Sequence, residues 1–527
     1  MMEVGVRLVG ILLRILNFLL APIFWLSSGR RRCVPPLQNH ILLLGAKELA
    51  EKIRSGEHTS EEIVSMYIER VKEVNPYINA VVEERFHAAL DDARSIDRQI
   101  ADARSKGTLE VLVKEKPLLG VPFTVKESCS LAGLSSSVGC AELAGRRARA
   151  DGAGAARARG AGGVPLLVSS TPELCLGWET TSLLRGATRN PRAHNRTAGG
   201  SSGGEAALLA AGASAFSVAS DIAGSIRLPA AFCGVFGHKP TPGIIPIEGH
   251  IPTLTDPQFP RLLTIGPMAR RAEDLPLLMD VMAGDNRGKL RLDQPVHMDQ
   301  LKVVYMTEAT HSAALLPVEP RVAAAVTRAV RYLAGCGCTV SEEKFKELED
   351  SVEISISVFF SMKDIPNLLQ DPANPKRDKS LAVELAKCVT GGASRSLQGL
   401  GFSLIQRTRL FIPDTRVLHY CRLADKLRDK MTRVLGDNGV FIYPVFNELP
   451  HYHNQVFLKA SGVMYTMVFN ILGMPCASIP LGTTGTTGTT AGLPLAVQVI
   501  AAPNQDRLCL AVAKQLEIGF GGWQPPQ

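Results

Sequence analysis

The run Gly199-Gly200-Ser201-Ser202-Gly203-Gly204-Glu205, followed by Ser220-Asp221-Ile222-Ala223-Gly224-Ser225-Ile226-Arg227, sets two candidate reactive serines, Ser201 and Ser225, in glycine-rich turns. A hydroxyl in such a turn stands among bare backbone N–H groups with no side chain in the way, as acyl transfer needs around a developing oxyanion. Upstream, Gly120-Val121-Pro122-Phe123-Thr124-Val125-Lys126 supplies a lysine. Two serines and a lysine can hydrolyse an amide without histidine, because a neutral amine can draw a proton from one hydroxyl through another. Each residue alone has an ordinary explanation: a solvated lysine, or a serine at the start of a helix. Their joint occurrence is what points to chemistry. A Ser-His-Asp hydrolase is the rival template, but Ser225 lies in Ala-Gly-Ser-Ile-Arg rather than Gly-x-Ser-x-Gly. No histidine has a distinguishing context, and His238 reads as structural.

Elements must hold these groups in place. Residues 118–125 have the valine-rich, turn-bounded character of a buried strand, which puts Lys126 at a strand end. Residues 205–213, rich in alanine and leucine, predict a helix whose positive end faces Ser201 and Ser202. Strand-like runs recur at 301–305, 440–444, 476–480 and 495–500, and with helices between them they predict an α/β arrangement around one large sheet. Residues 40–105 predict a helical scaffold. The arginine-rich, small-residue stretch 145–163 and the Gly-Thr-Thr repeats of 482–490 read as local elaborations, helix surface and loop, without chemistry.

The chain has 527 residues, 46% of them hydrophobic, enough for a large core. Its net charge is +8, but the first 32 residues hold five arginines against one glutamate, so the body is nearly balanced. No basic stripe interleaves with aromatics, which argues against nucleic acid as a partner. Eleven cysteines without metal-ligand spacing read as reduced core thiols, with no disulfide framework and no zinc site.

Residues 8–26 read LVGILLRILNFLLAPIFWL. As a helix they span about 28 Å, close to the ~30 Å of a bilayer's hydrocarbon. Arg14, Asn17 and Pro22 weigh against a simple span, and a hairpin or in-plane helix stays open. Arg30-Arg31-Arg32 follow where a secretory signal would carry a small-residue cleavage site, so a retained anchor is expected. The positive flank then places the body in the cytosol. Residues 1–35 are read as anchor and basic flank, and 36–527 as the catalytic domain.

GGSSGGEAALLAAG followed by SDIAGSIRLPAAFCGVFGHKPT resembles the amidase signature family, and the order Lys126, Ser201, Ser225 suits it. The tail from Gly492 to Leu508 resembles the family's last strand and helix, so the likeness runs from about residue 40 to the end. It implies an α/β fold with a large mixed, twisted central sheet surrounded by helices. It also implies Ser225 as nucleophile, Ser201 as the bridging serine and Lys126 as base. Backbone N–H groups of Ile222, Ala223, Gly224 and Ser225 would form the oxyanion hole, and a cis peptide would join Gly200 to Ser201. Asp221 and Arg227 would pair to brace the turn, and no metal or organic cofactor is required. Ala223 stands where the family commonly has a second glycine. Burial of Lys126 in an uncharged pocket would favour its neutral form. Family substrates include small amides, glutamine and lipid amides. The anchor, and an apolar patch at 397–412, favour a lipid amide substrate such as oleamide or an N-acylethanolamine, met at a membrane or lipid-droplet surface. A short-chain amidase, a glutaminase component of a transamidation complex and a catalytically silent lipid-binding protein are the alternatives. An endoplasmic-reticulum or lipid-droplet location and a homodimer are compatible with this reading.

Overall fold

An eleven-stranded mixed sheet runs through the body of the molecule. The structure is a computed structural model and describes residues 3–309, 312–371, 374–485 and 487–526. In chain order the strands are β1 (Val81–Glu84), β2 (Pro122–Lys126), β3 (Val164–Ser169), β4 (Phe216–Asp221), β5 (Phe236–Lys239) and β6 (Thr264–Ala269). They continue as β7 (Lys302–Tyr305), β8 (Thr339–Glu342), β9 (Gly439–Pro444), β10 (Cys476–Thr483) and β11 (Pro494–Ala501). Their order across the sheet is β1-β3-β2-β4-β6-β5-β10-β11-β9-β7-β8. Parallel pairs at β3-β2-β4 and β9-β7-β8 flank an antiparallel middle. Every residue of β2, β3 and β4 is buried, as expected of parallel strands covered on both faces.

Seven helices matter for the site: α1 (Glu3–Ser27), α2 (Ala153–Gly160), α3 (Gly203–Ala210), α4 (Arg227–Cys233), α5 (Ser351–Phe359), α6 (Leu397–Thr408) and α7 (Met464–Ile471). The expected strand ending at Lys126, the helix after Ser202 and the four later strands are all present. Two expectations are corrected. The scaffold of residues 40–105 is not wholly helical, because β1 lies within it and pairs antiparallel with β3 at the sheet edge. Nor is 145–163 surface throughout: residues 145–147, 149 and 150 are exposed irregular chain as expected, but α2 is packed into the body. In α2, Ala155 and Ala158 are fully buried, and a Cβ at Gly154 would touch Ile265 and Val218 at 3.0 Å, so small residues are what let this helix press on β4 and β6. Its arginines point the other way, Arg157 to the carbonyls of Met282 and Ala283 and Arg159 to Asp151.

All eleven cysteines are free thiols. His238 is structural, its Nε2 lying 3.0 Å from Asp506 in the core. Residues 397–412 form α6 and a short 3-10 turn with two faces: Leu400 and Ile412 are buried, while Leu397, Leu404 and Phe411 are exposed. Helix α1 is long and apolar enough to cross a membrane.

Candidate active site

Lys126 closes β2, and the parallel pairing of β2 with β4 brings that strand end beside the end of β4, where Ser220 and Asp221 lie. The lysine is completely buried. Its Nζ donates to Ser201 Oγ at 2.7 Å, to Ser220 Oγ at 3.0 Å and to the Ser220 carbonyl at 3.4 Å, so its partners are two hydroxyls and a carbonyl, none of them charged. Ser201 follows a cis Gly200–Ser201 peptide, the geometry the resemblance implies. Ser202 ties the two glycine-rich turns together: its N–H donates to the Ser225 carbonyl at 3.2 Å and its hydroxyl to the Ser220 carbonyl at 3.3 Å.

Ser225 lies in the walls of two cavities. A narrow one of about 50 Å³ also holds Ser201, Ser220, Ile222 and His250. A wider one of about 300 Å³ is lined almost wholly by hydrocarbon, including Ala223, Phe402 and Met464. That volume lies at the lower end of the range for small-molecule sites, about 300–1,000 Å³. The Lys126–Ser201 leg of the expected relay is a hydrogen bond. The Ser201–Ser225 leg is not: among the described residues Ser225 Oγ has no hydrogen-bond partner, and the two hydroxyls instead share the narrow cavity.

The turn bearing Ser225 is held by Asp221. Its Oδ1 accepts from the Gly224 N–H at 2.7 Å, and its Oδ2 from the Ile226 N–H at 3.0 Å and from Arg227 Nε at 3.1 Å. Arg227 Nη2 donates to Asp221 Oδ1 at 3.1 Å, and both side chains are fully buried. Burial alone would raise the Asp221 carboxyl, but the Arg227 charge and hydrogen bonds outweigh it and hold the group well below the usual carboxylate range. Arg227 also donates to the Thr466 carbonyl and to Gln498, and Asn470 Nδ2 donates to Asp221 Oδ1 at 2.9 Å, so α4, α7 and β11 are pinned to one turn. One of the four expected oxyanion donors is therefore taken. The Gly224 N–H is engaged by Asp221, while those of Ile222, Ala223 and Ser225 have no backbone or side-chain acceptor among the described residues. Glycine is required at 224 itself, where φ is +97° and a Cβ would stand 2.1 Å from Thr466 Oγ1.

Sequence reasoning passed over two residues that the fold delivers to this centre. His250 lies in the narrow cavity with its Nε2 3.0 Å from Ser220 Oγ and its Nδ1 2.8 Å from the Pro252 carbonyl. A carbonyl only accepts, so Nδ1 carries the proton in the neutral ring and Nε2 is left to accept from the Ser220 hydroxyl. Glu205, in the first turn of α3, is fully buried and accepts from Thr124 Oγ1. Burial pushes its carboxyl up to about 7, against the lowering effect of hydroxyl hydrogen bonds led by Thr124. His250 belongs to no spacing pattern that marks it in the sequence, and Glu205 closes the first glycine-rich run without anything there to assign it a role.

Comparison with known proteins shows the family of the chain. The Amidase family model matches residues 62–510. Fatty-acid amide hydrolase 2-A of Danio rerio is 38% identical over 99% of this chain and 97% of its own length, and fatty-acid amide hydrolase 2 of Homo sapiens is 35% identical over 93% and 92%. Among solved structures a fatty acid amide hydrolase superposes with a TM-score of 0.72 at 22% identity, covering 92% of this chain and 86% of that one, a likeness of fold. A matched model over most of the chain and full-length relatives above 30% identity lead to one conclusion: the chain belongs to the amidase family, with the amidase signature fold, and is an amide-hydrolysing enzyme.

Proposed function

We propose that the chain is a membrane-attached serine hydrolase that cleaves fatty-acid amides, primary amides such as oleamide and N-acylethanolamines, to a free fatty acid and ammonia or an amine. The observation that carries this reading is the position of Ser225, in the wall of a hydrocarbon-lined cavity and also in that of the small cavity lined by Ser201, whose hydroxyl is bonded to Lys126. An acyl chain in the first would present its carbonyl to a hydroxyl at the edge of the second. The names of the two fatty-acid amide hydrolases support the same substrate class.

In this mechanism Lys126 Nζ, unprotonated, takes the Ser201 proton while Ser201 Oγ takes that of Ser225. The freed Ser225 Oγ bonds to the amide carbon, and the carbonyl becomes an oxyanion facing the N–H groups of Ile222, Ala223 and Ser225. One well-placed donor of this kind is worth roughly 2.7–4 kcal/mol. As the carbon–nitrogen bond breaks, the proton returns from Nζ through Ser201 to the leaving nitrogen. Water then adds to the ester, passes its proton along the same route, and the acid leaves with Ser225 restored. The Ser201–Ser225 hop closes when substrate fills the small cavity and a serine turns to a neighbouring rotamer.

His250 has a positioning role in this scheme. By accepting the Ser220 proton it turns the Ser220 oxygen lone pairs to Lys126, so that Ser220 receives a hydrogen bond from Nζ and cannot compete with Ser201 as a donor to it. The outward face of α1, with Leu8, Leu12, Phe18 and Leu19 exposed, supplies the membrane attachment.

Ser225→Ala is expected to abolish both fluorophosphonate labelling and oleamide turnover by the purified enzyme. Undiminished labelling would remove Ser225 from its role. A wild-type preference for glutamine or acetamide over oleamide would remove the lipid substrate while leaving the amidase chemistry in place.

A further inference from the structure

The helix expected to serve only as an anchor also faces the interior. Val6, Val9, Gly10 and Leu13 of α1 line the same 300 Å³ cavity as Ala223 and Ser225. They recur at spacings of three and four, one stripe of a helix, while Leu8, Ile11, Leu12 and Ile15 on the other side are exposed. The stripe is fastened to the body by specific contacts. Arg14 Nη2 donates to the Ser312 carbonyl at 2.8 Å and to that of Leu315. A Cβ on Gly10 would stand 2.4 Å from the Ala313 carbonyl oxygen, so the helix approaches that loop as closely as a backbone can. Farther along, the chain is held again, with Asn195 Nδ2 donating to Ser28 Oγ at 3.5 Å. Leu404 of α6 lies in the cavity wall and is yet 46% exposed, so the mouth opens beside α6, whose exposed Leu397 and neighbouring Phe411 share the apolar exterior with α1.

We propose that α1 is a wall of the acyl-chain cavity, and that Val9 and Leu13 help set which chains are accepted. This deepens the fatty-amide reading and rests on it for the nature of the occupant. An element with apolar groups on both sides serves two media: one side meets the substrate's chain and the other meets lipid. Loss of the helix would leave one side of the cavity open to water, and an alkyl chain there would forfeit the transfer free energy that favours long substrates.

The test uses the full chain in detergent with solubilised substrates, so that delivery by a membrane plays no part. Ser225 is first labelled with a long-chain alkyl fluorophosphonate carrying a terminal diazirine, and the irradiated protein is mapped by mass spectrometry. Adducts within residues 3–27 are expected, and adducts confined to α5, α6 and α7 would overturn the placement of α1. In parallel, Val9→Phe and Leu13→Phe should lower kcat/KM for oleamide by about tenfold or more relative to butyramide, the scale of a pocket contact changed by a few carbons. Labelling of these variants by a small fluorophosphonate reports that the catalytic centre is folded. With that labelling intact, an unchanged oleamide-to-butyramide ratio would sink the specificity role. The two failures separate cleanly: a wild type indifferent to chain length refutes the substrate class, whereas the cross-link reports on α1 whatever the preferred amide.

Discussion

At the scale of single residues, the centre is a matter of which hydroxyl points where. Ser220 can donate to only one acceptor, and His250 Nε2 at 3.0 Å occupies it. In His250→Phe that acceptor is gone, and the Ser220 proton is free to turn to Lys126 in place of Ser201. The expected result is a fall in kcat of about 100-fold, the low end of what positioned proton transfer contributes, with KM for oleamide little changed. In a Ser220→Ala background the same change at 250 should have almost no further effect. An undiminished effect in that background would assign His250 to packing. The nearness of Lys126 to Ser201, and the glycine-rich turn that carries Ser225, were legible in the sequence because such turns and a strand end announce themselves locally. His250 was not: it sits in an irregular loop thirty residues beyond Ser220, and only the folded path of the chain brings it back.

At the scale of elements, the turn between β4 and α4 decides whether donors face the cavity. Gly224→Ala adds a methyl group against Thr466 at a backbone angle that L-residues avoid. It should cost about 1–3 kcal/mol of stability and should also displace the Ser225 N–H. Thermal unfolding and turnover are both expected to fall, and Thr466→Ala added to it should relieve the steric part but not the angular part. Equal stability of Gly224→Ala and wild type would show that the turn is looser than its contacts imply. The four residues of β1 are too few to interrupt a helical pattern, and they become a strand because β3 offers an open edge. In α2 the arginines suggested surface, whereas the alanine and glycine positions between them form the buried stripe. The engaged Gly224 N–H was equally hidden, since nothing in the motif says that the Asp221 carboxylate reaches forward three residues to accept from it.

At the scale of the whole molecule, stability against pH carries the mark of the buried carboxyl beside the centre. Glu205 holds its proton up to about pH 7 in the folded chain, whereas an unfolded glutamate gives it up near 4.3. Between those values the folded state binds more protons, so the contribution of Glu205 is complete below about pH 4.3 and is lost as the pH rises through about 7. Glu205→Gln, which keeps an acceptor for Thr124, should therefore gain on wild type as pH is raised from 5 to 8, by up to about 3 kcal/mol. Denaturant melts at the two pH values measure the difference, and a gap that stays constant would mean that Glu205 is ionised throughout. Hydropathy told that the first helix is apolar, but it cannot distinguish a side chain facing lipid from one facing a substrate's hydrocarbon, since both environments are alike to the residue. That is why α1 read as an anchor alone.

The fastening of α1 at Gly10, Arg14 and Ser28 has one more consequence. A spanning segment must match the thickness of its bilayer, and tilts or thins its surroundings when it does not. A helix held along the protein has no such length to match, and one leaflet is support enough. Attachment through the outer stripe of α1 would then be insensitive to how thick the lipid layer is.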